Sequence, residues 1–267
     1  MSLTVVALGG LCNRLRAFLS AKYLSVQTGI PVVVQWESTA ECRACFNDLF
    51  IAEEAPSFMV TGRPWWNVPA RKRNLYIPAL IRKLAGYRLQ HNCYEPRQGQ
   101  SLPVEAWRYG KHYLSTGSAF YPYPEEMVRR LQLQPELRAE VEELCSKYAP
   151  YTVGVHIRRT DNALAISHSP LHAFKQAIEA EIEAHPAVRF FLATDDEQLK
   201  QQMQADYPSR FIVQKTQVRR DTLQGIREAV IDLYCLAATS KLFGSYWSSF
   251  TDTAAELGQI PVQIVKA

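Results

Sequence analysis

The sequence predicts an α/β protein with a doubly wound parallel sheet in its C-terminal half. Strand and helix patterns alternate over 152–265, and a strand–helix–strand pattern also opens the chain over 3–36. Strands separated by helices pair in parallel, and the helices then cover the faces of the sheet. A polar helical stretch over 125–147 separates these two regions, so we expect an N-terminal domain over 1–125 and a C-terminal domain over 126–267.

In the N-terminal half, only the first elements can be assigned. An apolar run predicts a strand over 3–8, and apolar residues at helical intervals predict a helix over 13–27 that ends at Gly29. A second apolar run predicts a strand over 31–36. The stretch over 40–120 is irregular and rich in proline and aromatic residues, so no element is assigned there.

The C-terminal half has the clearer pattern. It predicts strands over 152–157, 188–193, 211–214, 241–245 and 262–265, and helices from 170, over 197–205, from 221 and over 249–257. Ser169 is expected to cap the helix that begins at Pro170. Asp221, with Gln224 in capping-box position, is expected to open the helix that precedes the fourth strand.

Length and composition indicate a globular protein. The 267 residues suffice for one large domain or two smaller ones. No run approaches the roughly 18 apolar residues that a membrane span needs, and the first residues lack the charged start, apolar core and cleavage site of a signal peptide. We therefore expect a cytoplasmic protein.

The six cysteines are scattered, at positions 12, 42, 45, 93, 145 and 235. Several lie inside apolar patterns, which favours reduced core thiols over a disulfide framework. Cys42 and Cys45 have the spacing of a zinc or redox pair. Without a second close pair, or a helix start placed as in thioredoxins, a zinc or redox site is disfavoured.

The net charge of +4 is unevenly distributed. The segment 63–97 contains eight Arg and Lys residues against one acid, Glu95, so it carries +7 and the rest of the chain sums to −3. Aromatic residues are interleaved with this charge. Three interpretations follow, in order of preference: a solvated face over core aromatics, a membrane-surface or anionic-acceptor patch, and a nucleic-acid patch, which no motif supports.

Charged and polar residues follow three of the predicted strands. They are Arg158, Arg159 and Asp161 after the first, Thr194, Asp195 and Asp196 after the second, and Trp247, Ser248 and Ser249 after the fourth. In open α/β sheets, ligands bind outside the carboxyl ends of the strands, so these residues should share one rim. Arginine presents a planar fork of donors that matches phosphate oxygens, and a surface Arg–Asp ion pair is the alternative.

The serines and aspartates of this rim also suit a nucleotide. Ser248 and Ser249 stand at a helix start, where backbone N–H groups and the positive end of the helix dipole favour a phosphate, and simple helix capping is the alternative. Asp195 and Asp196 suit hydrogen bonds from a sugar, a ribose or a base, or else they cap the next helix. The nearby arginines make diphosphate binding the better interpretation of the whole set.

Four segments occur in the order seen in GDP-fucose-dependent fucosyltransferases. They are Gly154-Val-His-Ile-Arg-Arg-Thr-Asp161, Phe191-Leu-Ala-Thr-Asp-Asp196, Ile231-Asp-Leu233 and Trp247-Ser-Ser-Phe250. The chain resembles most the α-1,6-fucosyltransferases of N-glycan cores and of rhizobial nodulation factors. Its Gly9-Gly-Leu-Cys-Asn-Arg14 is similar to the motif that opens protein O-fucosyltransferases. The resemblance covers the C-terminal half and the start of the chain, and residues 40–125 show none.

The resemblance implies a GT-B architecture of two Rossmann-like domains, an acceptor-side N-terminal one and a nucleotide-sugar-binding C-terminal one. It implies inverting transfer of fucose from GDP-fucose without a metal or other cofactor. The residues that it assigns to the donor and its diphosphate are Asn13, His156, Arg158, Arg159, Asp161, Asp195, Asp196, Asp232, Ser248 and Ser249. Among them, Arg158 would stabilise the leaving group, His156 and Asp161 would contact the nucleotide or orient that arginine, and Asn13 would act from the N-terminal domain.

The resemblance does not supply a general base. The α-1,6 enzymes have a glutamate five residues after the motif aspartate, where this chain has Ile166. Imidazole titrates near neutral pH, so His168 is a candidate for deprotonating the acceptor hydroxyl, with an exposed structural histidine as the alternative. Asp161 is a second candidate, and an oxocarbenium-like centre needs little activation of its nucleophile.

The sequence therefore predicts a glycosyltransferase that moves fucose from GDP-fucose to a hydroxyl of a glycan or lipid-linked saccharide. A cytoplasmic enzyme in peripheral contact with the inner membrane face is the hypothesis that best uses segment 63–97, and no nucleic-acid partner is expected. Two alternatives stay open. One is a transferase on the same scaffold that uses another nucleoside-diphosphate sugar, and the other is a non-catalytic protein that binds a nucleotide sugar or an anionic glycan.

Overall fold

A computed structural model describes residues 2–52, 57–62, 79–92, 110–159, 163–214, 219 and 221–267. The chain divides into two compact units, Met1–Gln132 and Leu133–Ala267. Asp161 and most of segment 63–97 lie outside the described residues, so what the sequence predicts for them stays a prediction. In the described part of the chain, no helix combines the length and the apolar character needed to cross a membrane.

The first unit is a parallel sheet with flanking helices. Its described elements are β1 (Ser2–Ala7), α1 (Leu11–Thr28), β2 (Val32–Gln35), a 3₁₀ helix (Phe46–Asp48), β3 (Phe58–Thr61), α2 (Ala79–Leu84), β4 (Tyr87–Asn92), β5 (Lys111–Thr116) and α3 (Glu126–Arg129). The strand order is β3-β2-β1-β5-β4, and every pair is parallel. Leu3 and Val5 of the central strand β1 are fully buried because a central parallel strand is covered on both faces.

The three elements predicted for the start of this unit are confirmed. β1, α1 and β2 lie where the sequence places them, with small differences at their ends. α1 ends at Gly29, whose φ of 69° is left-handed and whose N–H donates to the Ser25 carbonyl. The stretch over 40–120, for which the sequence pattern predicts no element, contains β3, α2, β4 and β5.

The second unit is also a parallel sheet between helices. Its described elements are α4 (Pro135–Cys145), β6 (Thr152–Ile157), α5 (Ala163–His168), α6 (Leu171–Ala184), β7 (Arg189–Thr194), α7 (Glu197–Asp206), β8 (Phe211–Val213), α8 (Leu223–Ala237), β9 (Lys241–Ser245), α9 (Ser249–Gly258) and β10 (Val262–Val265). The strand order is β10-β9-β6-β7-β8, again all parallel. Val155, Phe190 and Phe243 of the sheet form a core with Phe174 of α6.

The predicted α/β fold with a doubly wound C-terminal sheet is confirmed. All five strands of the second unit lie within about a residue of their predicted positions. The short helix α5 is an addition that the sequence pattern does not predict. The first compact unit includes α3, which packs on α1, and it ends at Gln132.

The predicted cap at Ser169 is wrong. α6 begins at Leu171 with Pro170 as its N-cap residue and no side-chain cap. The buried Ser169 hydroxyl instead donates to the Val265 carbonyl and accepts from the Tyr246 N–H, at 2.9 Å. A serine that reads as a local cap is thus used for a contact between distant segments, which sequence spacing does not reveal.

The predicted cap at Asp221 is also wrong, by one residue. Thr222 caps α8, and its hydroxyl accepts from the Gly225 N–H at 3.0 Å. The Asp221 carboxylate accepts hydrogen bonds from the Arg219 guanidinium instead. Aspartate and threonine are both good caps, so their order alone does not decide between them.

Each sheet has a point at which its strand order reverses. In the first unit this switch point lies between β1 and β5, and in the second it lies between β6 and β9. The connections that leave β6 and β9 run to opposite sides of their sheet, so a crevice opens beyond the carboxyl ends of these two strands. The loops that follow β6 and β9 contain the arginine and serine motifs of the sequence.

Candidate functional site

Ser245 joins the carboxyl ends of β6 and β9. It is buried at the end of β9, donates to the His156 carbonyl at 3.1 Å and accepts from the Arg158 N–H at 3.0 Å. These two bonds fix the chain at the point where the strand ladder ends. The half-buried Arg158 therefore begins its side chain at the switch point of the second sheet.

The N-terminus of α9 lies at the same switch point. Ser248 is its buried N-cap residue, and its hydroxyl accepts from the Thr251 N–H at 3.5 Å. The helix packs closely on the sheet because Gly244 has no side chain, and a Cβ there would collide with Thr251. Ser249 is the first helical residue, and the N–H groups of a first turn have no partner within the helix. Capping is therefore observed for Ser248, at a helix end that also suits an anion.

His156 supports this helix from below. It is buried in β6, its Nδ1 lies 2.8 Å from the Thr251 hydroxyl, and its ring packs on Phe250 with the ring centroids 4.9 Å apart. Both contacts are with the first turn of α9, so His156 positions the helix N-terminus. A direct contact between His156 and a nucleotide stays a prediction.

Arg159 is bound into the protein by its neighbours. Its N–H donates to Asp195 Oδ1 at 2.8 Å, and its Nη2 donates to the Ser169 carbonyl at 3.1 Å. Burial lowers the pKa of the Arg159 guanidinium, and the Asp195 and Asp196 carboxylates oppose that shift. These contacts tie the loop after β6 to the end of β7 and to the start of α6. Of the two adjacent arginines, Arg159 has the structural role.

Asp196 caps α7. Its Oδ1 accepts from the Gln198 and Leu199 N–H groups at 3.0 and 3.1 Å. Asp195 is a partner of the arginine motif and is half-buried. The capping alternative thus describes Asp196 and not Asp195, and contacts of either carboxylate with a ribose or a base stay predictions.

Asp232 is a buried acid on α8, only 4% exposed. Burial raises its pKa well above the usual range, the Lys200 charge opposes this shift, and Glu228 adds to it. Its Oδ1 has no hydrogen-bond partner within the part of the chain that the structure describes. Lys200 donates to the carbonyl of Gln214, the residue that follows β8, and pairs with Glu197 at 3.0 Å. Lys200, whose charge acts on Asp232, is therefore bound to the chain at the carboxyl end of the sheet.

An aromatic group follows β9. Trp247 has a φ of 53° and is 72% exposed, although left-handed backbone costs a residue other than glycine about 1–2 kcal/mol.

The Tyr246 ring stacks on His168 with centroids 4.8 Å apart and planes 16° apart, and Lys266 Nζ lies 4.7 Å from the Tyr246 centroid. The candidate base His168 is exposed, and its Nδ1 lies 2.9 Å from the Ser167 hydroxyl.

Asn13 lies in the first turn of α1, at the switch point of the first sheet. Gly9 precedes it with a φ of 79°, and a Cβ there would lie 2.9 Å from Asn13 Nδ2, so the turn requires glycine. The adjacent Arg14 is 1% exposed and donates to the Gly9 carbonyl, the Glu37 carbonyl and the Thr39 hydroxyl. Arg14 is thus structural, and the half-buried Asn13 remains the candidate that the motif offers to the donor.

Sequence reasoning missed three residues that hold these rims together. Arg14 was part of a motif without a role, Ser169 was assigned to a helix cap, and Ser245 had no assignment. Each acts through contacts between segments that are distant in sequence, so local pattern gives no signal for them. A serine at the last position of a buried apolar strand, as at Ser245, is the one local feature that points to such a role.

Among the residues that the structure describes, no group of three or more His, Cys, Asp or Glu side chains is arranged to hold a metal ion. Cys42 is buried, Cys45 is exposed, and neither forms a disulfide.

The sequence matches no protein-family model and no curated protein. Solved structures do match. The NodZ α-1,6-fucosyltransferase from Bradyrhizobium, soaked with GDP-fucose, has a TM-score of 0.63 at 19% identity over 98% of this chain and 94% of that chain. POFUT1 in complex with GDP has a TM-score of 0.57 at 12% identity, over 99% and 98%. FUT1 from Arabidopsis thaliana in complex with GDP has a TM-score of 0.62 at 12% identity, over 98% and 69%.

The fold and the two switch points define a class of protein: two Rossmann-like α/β units, each with a parallel sheet whose carboxyl edge suits a ligand. Within that class, the chain has the fold of fucosyltransferases. The resemblance to GDP-fucose-dependent fucosyltransferases seen in the sequence motifs is thereby confirmed in the fold.

Proposed function

We propose that this protein is a glycosyltransferase that moves fucose from GDP-fucose to a saccharide hydroxyl, with inversion and without a metal. The observation that carries the proposal is that Arg158 and the N-terminus of α9 lie at the same switch point. Ser245 fixes the backbone of the arginine there. Solved structures of the same fold contain GDP or GDP-fucose, which supports a guanine nucleotide as the ligand.

The chemistry of the step favours these two groups. When the bond between the fucose anomeric carbon and the phosphate oxygen breaks, negative charge develops on the diphosphate while the sugar becomes oxocarbenium-like. A guanidinium and a helix N-terminus are fixed positive groups that stabilise this charge. They supply what a divalent ion supplies in other transferases, so the proposed reaction needs no metal. The acceptor oxygen then attacks from the face opposite the leaving diphosphate, which inverts the anomeric centre.

Asp232 gives a reason for a guanine nucleotide. A buried acceptor without a partner is costly, and a ligand with adjacent N–H donors removes that cost. Guanine presents such donors on its Watson–Crick edge, at N1 and N2. We assign Asp232 to the base, with the carboxylate form as the one that accepts both donors.

His168 is the proposed base for the acceptor hydroxyl. It is exposed at the end of α5, and its stacking on Tyr246 places it beside the residue that follows β9. Asp161 is the second candidate, and it lies outside the described residues. Because the transition state is oxocarbenium-like, we expect His168→Ala to lower turnover less than a change at Arg158.

The donor is tested by a thermal-shift screen of GDP-fucose, GDP-mannose, UDP-sugars and GDP, each with and without EDTA. We expect GDP and GDP-fucose each to raise the melting temperature, and each shift to be the same with and without EDTA. UDP-sugars should have no effect. A preference for UDP-sugars would replace the donor. A shift that EDTA abolishes would show that a metal is required.

A non-catalytic nucleotide-sugar binder is the second candidate. Ile166 favours it, because this residue stands where the α-1,6 enzymes have a glutamate. Slow release of GDP from the preferred donor separates the two functions, since a binder protects the donor and an enzyme hydrolyses it.

The membrane contact proposed for segment 63–97 is tested separately: changing Arg71, Lys72 and Arg73 to Gln should weaken binding to anionic liposomes.

A further inference from the structure

Trp247 combines a strained backbone with an exposed indole. Its φ is 53°, in a region that bulky residues avoid, and its side chain is 72% exposed. The other described residues with positive φ that are not glycine are Ser209 and Gln259, which are smaller or polar. Burial of the indole therefore does not compensate for the strain at Trp247, which points to a role outside folding.

The position of Trp247 connects it with the proposed reaction. It directly precedes Ser248, the N-cap residue of α9, and it follows β9 by two positions. In the proposed function, the α9 N-terminus receives the diphosphate. The sugar that is joined to that diphosphate, and the acceptor that attacks it, must then lie close to the residue that enters the helix.

The residues around Trp247 are held in place. The Tyr246 ring centroid lies 6.1 Å from the Trp247 centroid, and Tyr246 is itself packed by His168 and Lys266. The Tyr246 N–H donates to the buried Ser169 hydroxyl, which fixes the backbone before Trp247. Tyr246 is thus a support, and Trp247 is the exposed ring of the group.

The chemistry of an exposed indole favours a sugar ring. An aromatic face carries partial negative charge, and the axial C–H bonds of a pyranose carry partial positive charge and form an apolar face. We propose that Trp247 is a platform on which a pyranose ring of the acceptor saccharide stacks, with Tyr246 as its support. This inference rests on the proposed function and says how the acceptor is held: the apolar C–H face of one of its pyranose rings lies against the indole.

The test uses the full chain saturated with GDP. Cellotetraose, chitotetraose and, as a ringless control, sorbitol are titrated by calorimetry into the wild type, Trp247→Phe, Trp247→Asn and the control variant Gln259→Asn. The expected result is saturable binding of at least one tetrasaccharide and none of sorbitol. Trp247→Phe should stay within a few-fold of the wild type, Trp247→Asn should lose tenfold or more, and Gln259→Asn should bind as the wild type.

Two further readouts separate the platform from a structural role. Asparagine tolerates left-handed backbone better than tryptophan, so the melting temperature of Trp247→Asn should rise while its saccharide affinity falls. Its GDP affinity should stay within twofold of the wild type. A structural role predicts the opposite, a lower melting temperature.

Different results would overturn the proposed function and the platform. If GDP does not bind the wild type, the proposed function is wrong, and this inference is overturned with it. If GDP binds but neither tetrasaccharide does, or if Trp247→Asn retains the wild-type saccharide affinity, only the platform is overturned.

Discussion

The switch points of the two sheets use arginine in different ways. Arg14, in the first unit, is 1% exposed, and all three guanidinium nitrogens donate to oxygens of the same unit. Arg158, in the second unit, is half-buried, and what fixes it is a backbone bond to Ser245. Both arginines follow a central strand, so position in the fold does not distinguish them. Burial of the side chain does.

The helices at the two switch points differ in the same sense. Gly10 is the N-cap residue of α1 and provides no side-chain cap, while Ser248 caps α9 with its hydroxyl. In the first unit, the side chain of Arg14 binds the loop before its helix. In the second unit, Ser245, Ser248 and His156 fix the rim from within. The first switch point is therefore stabilised by its arginine, and the second presents its arginine on a rim that other residues stabilise.

The largest expected effect is on Arg14. Arg14→Ala removes the three hydrogen bonds of a buried guanidinium and leaves two carbonyls without that donor, so we expect the unfolding free energy to fall by at least about 3 kcal/mol. Urea denaturation followed by circular dichroism measures it. Arg14→Lys is the matched control, because it retains the charge but cannot reach all three acceptors. Its unfolding free energy should lie between those of the wild type and Arg14→Ala. If Arg14→Ala unfolds at the same urea concentration as the wild type, the structural role of Arg14 is contradicted.

The second effect is on Arg158 and concerns rate. Arg158→Ala should lower turnover about a hundredfold, or about 3 kcal/mol of transition-state stabilisation, with unfolding free energy nearly unchanged. GDP release from GDP-fucose measures the rate.

Arg159→Ala is the matched control for Arg158, because it removes the same charge one residue away. Its bond to the Ser169 carbonyl supports the fold, so it should lower stability by about 1 kcal/mol and turnover by less than tenfold. Equal losses of turnover in both variants would contradict the division of roles between the two arginines.

The third prediction concerns pH and Asp232. Burial raises the pKa of Asp232, so the free protein holds it protonated above the usual range of an aspartate. If guanine requires the carboxylate, GDP affinity rises as pH rises through that raised pKa and falls below it. Calorimetric titration of GDP at several pH values measures this slope. Asp232→Asn should bind GDP more weakly, and its GDP affinity should lack the pH dependence that Asp232 causes. The pH dependence that comes from the phosphates of GDP should be the same in both proteins.

The smallest expected effect compares two helix caps of the second unit. Ser248→Ala and Asp196→Ala should each lower the unfolding free energy by about 1 kcal/mol, because each removes a side-chain acceptor at a helix N-terminus. Ser248→Ala should weaken GDP binding more than Asp196→Ala does, since only α9 begins at the switch point. An equal loss of GDP affinity in Asp196→Ala would extend the nucleotide site to α7.

The fold of the second unit was predictable, and that of the first only at its start. β6, β7 and β9 are apolar runs bounded by turns, and helices of typical length separate them. β5 lies inside its sheet, between β1 and β4, but it contains the buried polar residues His112, Ser115 and Thr116, so its sequence does not predict a core strand. Burial of polar side chains depends on partners elsewhere in the chain, which periodicity does not report.

The site divides in the same way. Arg158 and Ser248 were predictable because strand ends and helix starts have local signals. The structural roles of Arg159 and Asp196 were not, because the choice between a ligand and an internal partner depends on where Ser169 and the start of α7 lie. Trp247 was visible in the motif, but its left-handed backbone was not.

The most direct test of the central claim is the release of GDP from GDP-fucose by the wild type and by Arg158→Ala, both in EDTA, with folding checked by circular dichroism. The claim predicts measurable release by the wild type in EDTA and a rate about a hundredfold lower in a folded Arg158→Ala protein. Release at the wild-type rate by Arg158→Ala, or no release by the wild type until a divalent ion is added, would contradict it.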